Sequence, residues 1–292
     1  MSTPAVKSAS PDPGKIKALA LDLDGTLLGP DSLLSERAKT ALHNCHKRGI
    51  KIIIATGRAI DAVEPFRVSL AAKGPMIYFN GAVVAEMPSG KIIDITLLDK
   101  NAAVRCLDLA DEMGVYCQVF LPGAGEKPHI TLVTEKDAPE RNLYYEHTGI
   151  LAELGDLREI LHRPELPGCV KAMFLAEPEI LESLRPPLKE RFGKSVYVVQ
   201  TYRTFLEVLD ARVSKGQGLR TAMEYYSLRK EEVIAFGDEE NDLPMFDAAG
   251  FSVAPSNAKD AVKAKAKLVT ASNAEDGVAA FLEEFFAFDT GA

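Results

Sequence analysis

The chain has 292 residues, a formal charge of −8 at neutral pH, 47% hydrophobic and 26% charged residues. That balance is ordinary for a globular protein that buries its core without disulfides or structural metal, and the length accommodates two domains. No basic stripe is present to neutralise a nucleic-acid backbone, and no apolar stretch approaches the roughly 18 residues that read as a bilayer span. Neither nucleic acid nor membrane is expected as a partner. Cys45, Cys106, Cys117 and Cys169 are scattered without a CxxC pair, which reads as buried thiols and a cytoplasmic protein. Residues 1–14 are rich in Ser, Pro and Ala and lack an apolar signal core, so a disordered tail is expected there.

The first ordered run, residues 16–23, is apolar at nearly every position, as suits a strand buried on both faces of a parallel sheet. Ser35 then reads as the N-cap of a helix with Ala38, Ala41, Leu42 and Cys45 on one face, closed by Gly49. A second buried strand follows at 50–55, a helix at 61–70, and a third strand at 76–79 that ends in the turn signal Asn80-Gly81. This β-α-β-α-β order predicts right-handed crossovers and a doubly wound sheet. From 99 to 209 the rhythm becomes helix, strand, strand, helix, strand, helix, strand, strand, an α+β unit with an antiparallel sheet. The parallel-sheet character then returns, with a helix near Lys215, strands ending at Phe236, Ala254 and Thr270, and a final helix at 278–286. The fold class is therefore α/β: a doubly wound, Rossmann-like core at 15–85 and 210–288, with an α+β domain inserted at 86–209.

Three strands end in polar clusters that do not belong in a core: Asp22-Leu23-Asp24-Gly25-Thr26-Leu27, Thr56-Gly57-Arg58, and Gly237-Asp238-Glu239-Glu240-Asn241-Asp242. In open α/β sheets ligands bind at the carboxyl ends of the strands, so the clusters can share one crevice. Residues two apart in an extended segment project to one side, which points Asp22 and Asp24 the same way, and Asp238 would add a third carboxylate. Close like charges need a cation, and an all-oxygen cage points to Mg²⁺. A calcium loop is the bland alternative, but its twelfth position, which needs Glu, is Leu33. Thr-Gly-Arg also reads as a plain strand-to-helix turn, and Lys215 as a solvated helix start. Their functional reading is a phosphoryl oxygen held by the Thr56 hydroxyl and neighbouring amides, with Lys215 as the nearby cation. The five histidines have no metal-ligand spacing, and no P-loop, dinucleotide loop or serine elbow is present.

Together these motifs resemble the haloacid dehalogenase superfamily, and within it the Cof-type phosphatases with a type II (subclass B) cap. The resemblance spans nearly the whole chain. Asp22-x-Asp24-Gly25-Thr26 is similar to the first motif, Thr56-Gly57-Arg58 to the second, Lys215-Gly216 to the third and Gly237-Asp238-x-x-Asn241-Asp242 to the fourth. Phe79-Asn80-Gly81-Ala82, Asn257-Ala258 and Glu275-Asp276-Gly277-Val278 resemble further marks of the subgroup. The resemblance implies an aspartyl-phosphate on Asp22, with Asp24 as acid and then base. It implies Mg²⁺ on Asp22, the Asp24 carbonyl and Asp238, and phosphoryl oxygens held by Thr56, Gly57, Lys215 and Asn241. Arg58, Asn80 and Asp242 would support them, with Asp242 orienting Lys215 or a metal-bound water. The substrate would be a small phosphorylated metabolite such as a sugar phosphate. A phosphomutase of the same superfamily and a non-catalytic metabolite-binding protein are the alternatives. Gly218 stands where relatives carry a helix former, at a cost of about 1 kcal/mol, and Asp210-Ala211-Arg212 replaces a Pro-x-Gly-like turn. The insertion would act as a lid, with specificity residues expected on loops such as 122–128.

Overall fold

The computed structural model describes residues 11–123 and 130–288. In chain order the elements are β1 (Ala18–Leu21), α1 (Glu36–Lys47), β2 (Lys51–Ile54), α2 (Ile60–Ser69), β3 (Gly74–Tyr78) and β4 (Val83–Met87). There follow β5 (Lys91–Ile95), α3 (Lys100–Met113), β6 (Tyr116–Pro122), β7 (Ile130–Thr134), α4 (Pro139–Thr148), β8 (Glu153–Leu154) and α5 (Leu157–His162). Next are β9 (Lys171–Leu175), α6 (Pro178–Phe192), β10 (Val196–Tyr202) and β11 (Phe205–Asp210). The chain closes with α7 (Lys215–Tyr226), β12 (Val233–Phe236), α8 (Leu243–Ala248), β13 (Phe251–Pro255), α9 (Asp260–Lys265), β14 (Leu268–Thr270) and α10 (Gly277–Phe285). Two compact units result: Met1–Ser89 with Ser214–Ala292, and Gly90–Val213. Both divisions fall later than the junctions at 85/86 and 209/210 read from the sequence. β4 pairs with β3 as far as Met87, and Val213 is tied back to β11 by its N–H bond to Asp210 O.

In the first unit a five-stranded sheet has the order β14-β13-β12-β1-β2, parallel throughout. β3 extends it through a parallel bridge between Ala55 and Ile77 and pairs antiparallel with β4. β1, β12 and β13 are buried along their whole length, which is why they read as unbroken apolar runs rather than alternating ones. The first half of the chain winds outward from β1 and the second half outward from β12. The β1/β12 boundary is therefore the topological switch point, where such sheets place ligands. Ser35 caps α1 by accepting from the Ala38 N–H at 3.0 Å, a bond worth about 1 kcal/mol.

Gly218 has a tertiary reason for lowering the helix propensity of α7. A Cβ there would lie 2.5 Å from the Ile77 side chain, so glycine is what lets α7 lie against β3. The expected disordered tail falls mostly on residues outside those described. Within them the expectation is corrected: Pro13–Lys15 form a 3-10 turn, because Asp12 caps it by accepting from the Gly14 N–H and proline starts it.

The second unit carries a six-stranded sheet, β10-β11-β9-β6-β7-β8, antiparallel except for the β7/β8 pair. Among the described residues it contains one helix and one strand more than the sequence pattern suggested. α5 is a short helix behind a two-residue, exposed β8, too brief for either period to register. Val119, Ala172, Phe174, Leu206 and Val208 share a core with Cys106 and Leu109 of α3 and Leu184 and Leu188 of α6. Strand alternation sends Phe120, Lys171 and Glu207 to the opposite face. All four cysteines are free and buried, as expected. Loop 122–128, singled out for specificity, lies mainly outside the described residues. No described helix is long and apolar enough to cross a membrane.

Candidate active site

β1 ends at Leu21, and the Asp22 N–H still donates to Phe236 O of β12 at 3.1 Å. That bond seats Asp22 at the switch point. Lys215 is the first residue of α7, whose start is set by Ser214, its hydroxyl accepting from the Gln217 N–H at 3.1 Å. The Lys215 side chain is 2% exposed, and its Nζ donates to Asp22 Oδ1 at 2.5 Å and to Asp242 Oδ1 at 2.6 Å. The second Asp242 oxygen accepts from the N–H groups of Asp238 and Glu239 at 2.9 and 3.0 Å. Asp242 thus locks both the lysine and the loop after β12. Asp238 in turn accepts from the Thr26 hydroxyl at 2.7 Å, which joins the first and fourth motifs.

One oxygen each from Asp22, Asp238 and Asp242 lies within 4.8 Å of the other two, and all three residues are buried. Among the described residues the Lys215 ammonium is the cation bonded directly to this group, which leaves an excess of two negative charges when all three carboxylates are ionised. The electrostatics register that excess. Burial holds the Asp22 carboxyl well above the usual range; Lys215 opposes this, and Asp242 and Asp238 add to it. Burial also raises Asp238 to about 6, against the Thr26 hydrogen bond and helped by Asp242. For Lys215 burial works downward, but the charges of Asp22 and Asp242 outweigh it and the ammonium is strengthened.

The cluster corrects one reading of the sequence. The carboxylate that joins Asp22 and Asp238 is Asp242, whereas the Asp24 carboxylate is engaged elsewhere. Arg58, from the turn after β2, donates to both Asp24 oxygens at 2.5 and 2.7 Å, and the Asp24 side chain is about half exposed. Alternation alone predicted a shared direction. The bidentate Arg58 partner takes up the Asp24 carboxylate, and Arg58 also feels the Asp22 charge, so Asp24 stays beside Asp22 without joining the Asp22, Asp238 and Asp242 oxygens.

Thr56 is buried, with its N–H bonded to Ile77 O and its hydroxyl accepting from the Arg58 N–H at 3.1 Å. Gly57 follows, half-buried. Asn241 is half-buried and donates from Nδ2 to Asn80 Oδ1 at 2.9 Å. Two asparagines without a role in the sequence reading also serve the site. Asn257 donates to Gly25 O at 2.8 Å and accepts from the Asn273 N–H at 2.8 Å, while Asn273 donates to Leu28 O. They clamp the turn that carries Asp24. Asn257 stood in a motif quoted from the resemblance, but only tertiary contact shows what it holds.

Residues 19–282 match the model of the haloacid dehalogenase-like hydrolases. The chain belongs to that family. It is 30% identical to 5-amino-6-(5-phospho-D-ribitylamino)uracil phosphatase YitU of Bacillus subtilis (strain 168), over 92% of this chain and 97% of that one. It is 28% identical to pyridoxal phosphate phosphatase YbhA of Escherichia coli (strain K12), over 91% and 97%. A haloacid dehalogenase-like hydrolase from Bacteroides thetaiotaomicron superimposes with a TM-score of 0.80 at 26% identity, covering 93% of this chain and 100% of that chain. Both of these curated relatives are named as phosphatases, and the inserted antiparallel sheet with helices gives the chain the fold of a subclass IIB member of the superfamily, which superimposes with a TM-score of 0.75 at 23% identity.

Proposed function

We propose that this enzyme is a Mg²⁺-dependent phosphatase of small phosphorylated metabolites, working through an aspartyl-phosphate on Asp22. The observation that carries the reading is the buried group Asp22, Asp238, Asp242 and Lys215. The three carboxylates offer only oxygen donors, and with Lys215 included the group falls two charges short of neutral, which suits a hard divalent cation. Asp22 and Asp238, with the Asp24 carbonyl, would hold the ion, as the family resemblance implies. When bound, the ion compensates the excess charge, keeps Asp22 ionised and polarises the phosphoryl oxygens.

The chain's own residues carry the reaction. Asp22 attacks phosphorus and the leaving alcohol departs with a proton from Asp24, which then takes a proton from the water that hydrolyses the acyl-phosphate. Both Asp24 oxygens accept from Arg58, which takes one lone-pair site on each and leaves a second site that can carry the transferred proton. Lys215 has three N–H donors, two of them committed to Asp22 and Asp242. The third serves a phosphoryl oxygen, alongside Thr56, the Gly57 amide and the Asn241 amide. Such positioning and charge stabilisation is most of what phosphoryl transfer asks of a protein. The relatives named for a ribitylamino-uracil phosphate and for pyridoxal phosphate, together with sugar phosphates, define the substrate class to screen.

The test is release of inorganic phosphate from a panel of such esters by the wild type and by Asp22→Asn, with Mg²⁺ and after chelation. Turnover is expected with Mg²⁺, is lost in chelator and returns on adding Mg²⁺. Asp22→Asn should lose on the order of 10⁴-fold or more, as when other covalent nucleophiles are removed. Full activity in chelator or in the variant would sink the reading. Phosphate passed to a second sugar instead of water would make the enzyme a mutase.

A further inference from the structure

The turn between β3 and β4 adopts an unusual conformation. Phe79, Asn80 and Gly81 have φ values of +50°, +58° and +102°, three successive residues in the left-handed region. For a bulky residue such as Phe79 that conformation is strained, and strain of this kind persists only where surrounding contacts hold it. All three residues are buried, and their contacts reach the second, third and fourth motifs. The Asn80 N–H donates to Thr56 O at 2.9 Å and the Phe79 N–H to Arg58 O at 3.2 Å, fixing the second motif. A Cβ on Gly81 would lie 2.1 Å from Ser214 O, so the turn abuts the cap of the helix that begins with Lys215. A Cβ on Gly57 would lie 3.1 Å from Asn80 Oδ1, so that glycine admits the asparagine side chain.

The fourth motif is reached through Asn80 itself, whose Oδ1 accepts from Asn241 Nδ2 at 2.9 Å. Asn241 Oδ1 is buried and has no hydrogen-bond partner among the described residues. Among the described contacts, the bond to Asn80 is therefore what decides which way the Asn241 amide faces. A carbonyl oxygen accepts only from the NH₂ end, so it turns that end inward and commits one of its two N–H groups. We infer that Asn80 is a positioning residue: its side-chain carbonyl sets the Asn241 amide so that the second N–H is presented to the phosphoryl group. The strained turn holds Asn80 in register with Thr56 and Lys215. This rests on the phosphatase reading given above for Asn241.

The test separates backbone from side chain. Asn80→Gly keeps a residue at ease with positive φ and removes only the amide, whereas Asn80→Asp tolerates the same backbone and keeps an acceptor. With an activated aryl phosphate and Mg²⁺, Asn80→Gly should lower kcat by about 10–100-fold, the range seen when a group that orients a ligand from behind is lost. Asn80→Asp should hold kcat within about 3-fold, with the change appearing in KM. In a cycle with Asn241→Ala, the double variant should be no slower than Asn241→Ala alone, because both changes remove one function. Binding of inorganic phosphate to the folded proteins, followed by calorimetry, carries the same comparison without turnover. Wild-type kcat and phosphate affinity in Asn80→Gly, losses that multiply in the cycle, or equal loss of kcat in Asn80→Asp would overturn the assignment. A wild type that turns over no ester yet binds phosphate less well in Asn80→Gly would instead sink the phosphatase reading and leave the positioning role standing.

Discussion

Two lysines, one in each unit, are 2% exposed, and their surroundings treat them in opposite ways. In the core Lys215 lies between Asp22 and Asp242. In the cap Lys171 donates to Glu207 Oε1 at 2.5 Å and lies 4.5 Å from the centre of the Phe120 ring, while Glu207 also accepts from the Thr201 hydroxyl at 2.8 Å. Burial lowers the proton affinity of both ammonium groups. For Lys171 burial prevails over the attraction of Glu207, and its pKa stays below the ordinary value. For Lys215 the two carboxylates prevail and its pKa rises. A close charge pair at an effective dielectric near 20 is worth on the order of 4 kcal/mol, so a second carboxylate is enough to reverse the sign. A neutral pair of this kind braces a sheet. An excess of carboxylates around a lysine marks a place that requires more positive charge than the chain supplies.

The contrast is sharpened first by removing each lysine. Lys215→Met should lower kcat by on the order of 10²–10³-fold, comparable to loss of a group that stabilises transition-state charge. Wild-type kcat in that variant would erase the distinction between the two lysines. Lys171→Met should act on stability instead. It strands the Glu207 carboxylate in the cap and should cost about 3–5 kcal/mol in urea unfolding, whereas the double change Lys171→Met, Glu207→Met should recover most of that loss. A double variant as unstable as the single one would show that the pair contributes more than mutual neutralisation.

The smallest effect is a pH slope. Because the Lys171 pKa is lowered in the folded state, the unfolded chain binds protons more tightly between that value and 10.5. Stability therefore rises with pH through this window. The stability of the wild type relative to the double variant should accordingly increase as pH climbs from neutral toward 10.5. Lys215, with a raised value, has the opposite sign: its contribution is complete below 10.5 and is lost only as pH rises through the folded pKa. Unfolding midpoints measured across this range check the sign, and a falling difference would contradict it.

The parts of the site that were legible in the sequence are those written within a few consecutive residues. Asp22, Thr56 and the Asp238 to Asp242 run stand at the ends of apolar strands, where polar residues have no reason to be unless a crevice lies there. The pairing of Asp24 with Arg58 was not legible. Alternation along a strand says which way a side chain starts, while a guanidinium 34 positions later says where it ends. The resemblance implied a supporting role for Asn80, but its partner was hidden for a similar reason: Asn-Gly announces a turn, while Asn241 lies 161 positions away. Lys171 and Glu207 gave no signal at all, since a lone charge in an apolar strand declares neither its partner nor its burial.

By itself the sequence determined the alternation of buried strands and amphipathic helices, the insertion between two halves of one sheet, and the residue types gathered at the strand ends. These follow from period, turn chemistry and capping, which act over a few residues. Tertiary structure alone decided that Asp242 rather than the Asp24 side chain completes the carboxylate group. It also decided that Gly218 is a packing requirement and that a strained turn links the Thr56, Lys215 and Asn241 segments. Each of those outcomes depends on which distant groups meet inside a low-dielectric interior, where charge excess and unmade hydrogen bonds are too costly to leave unresolved.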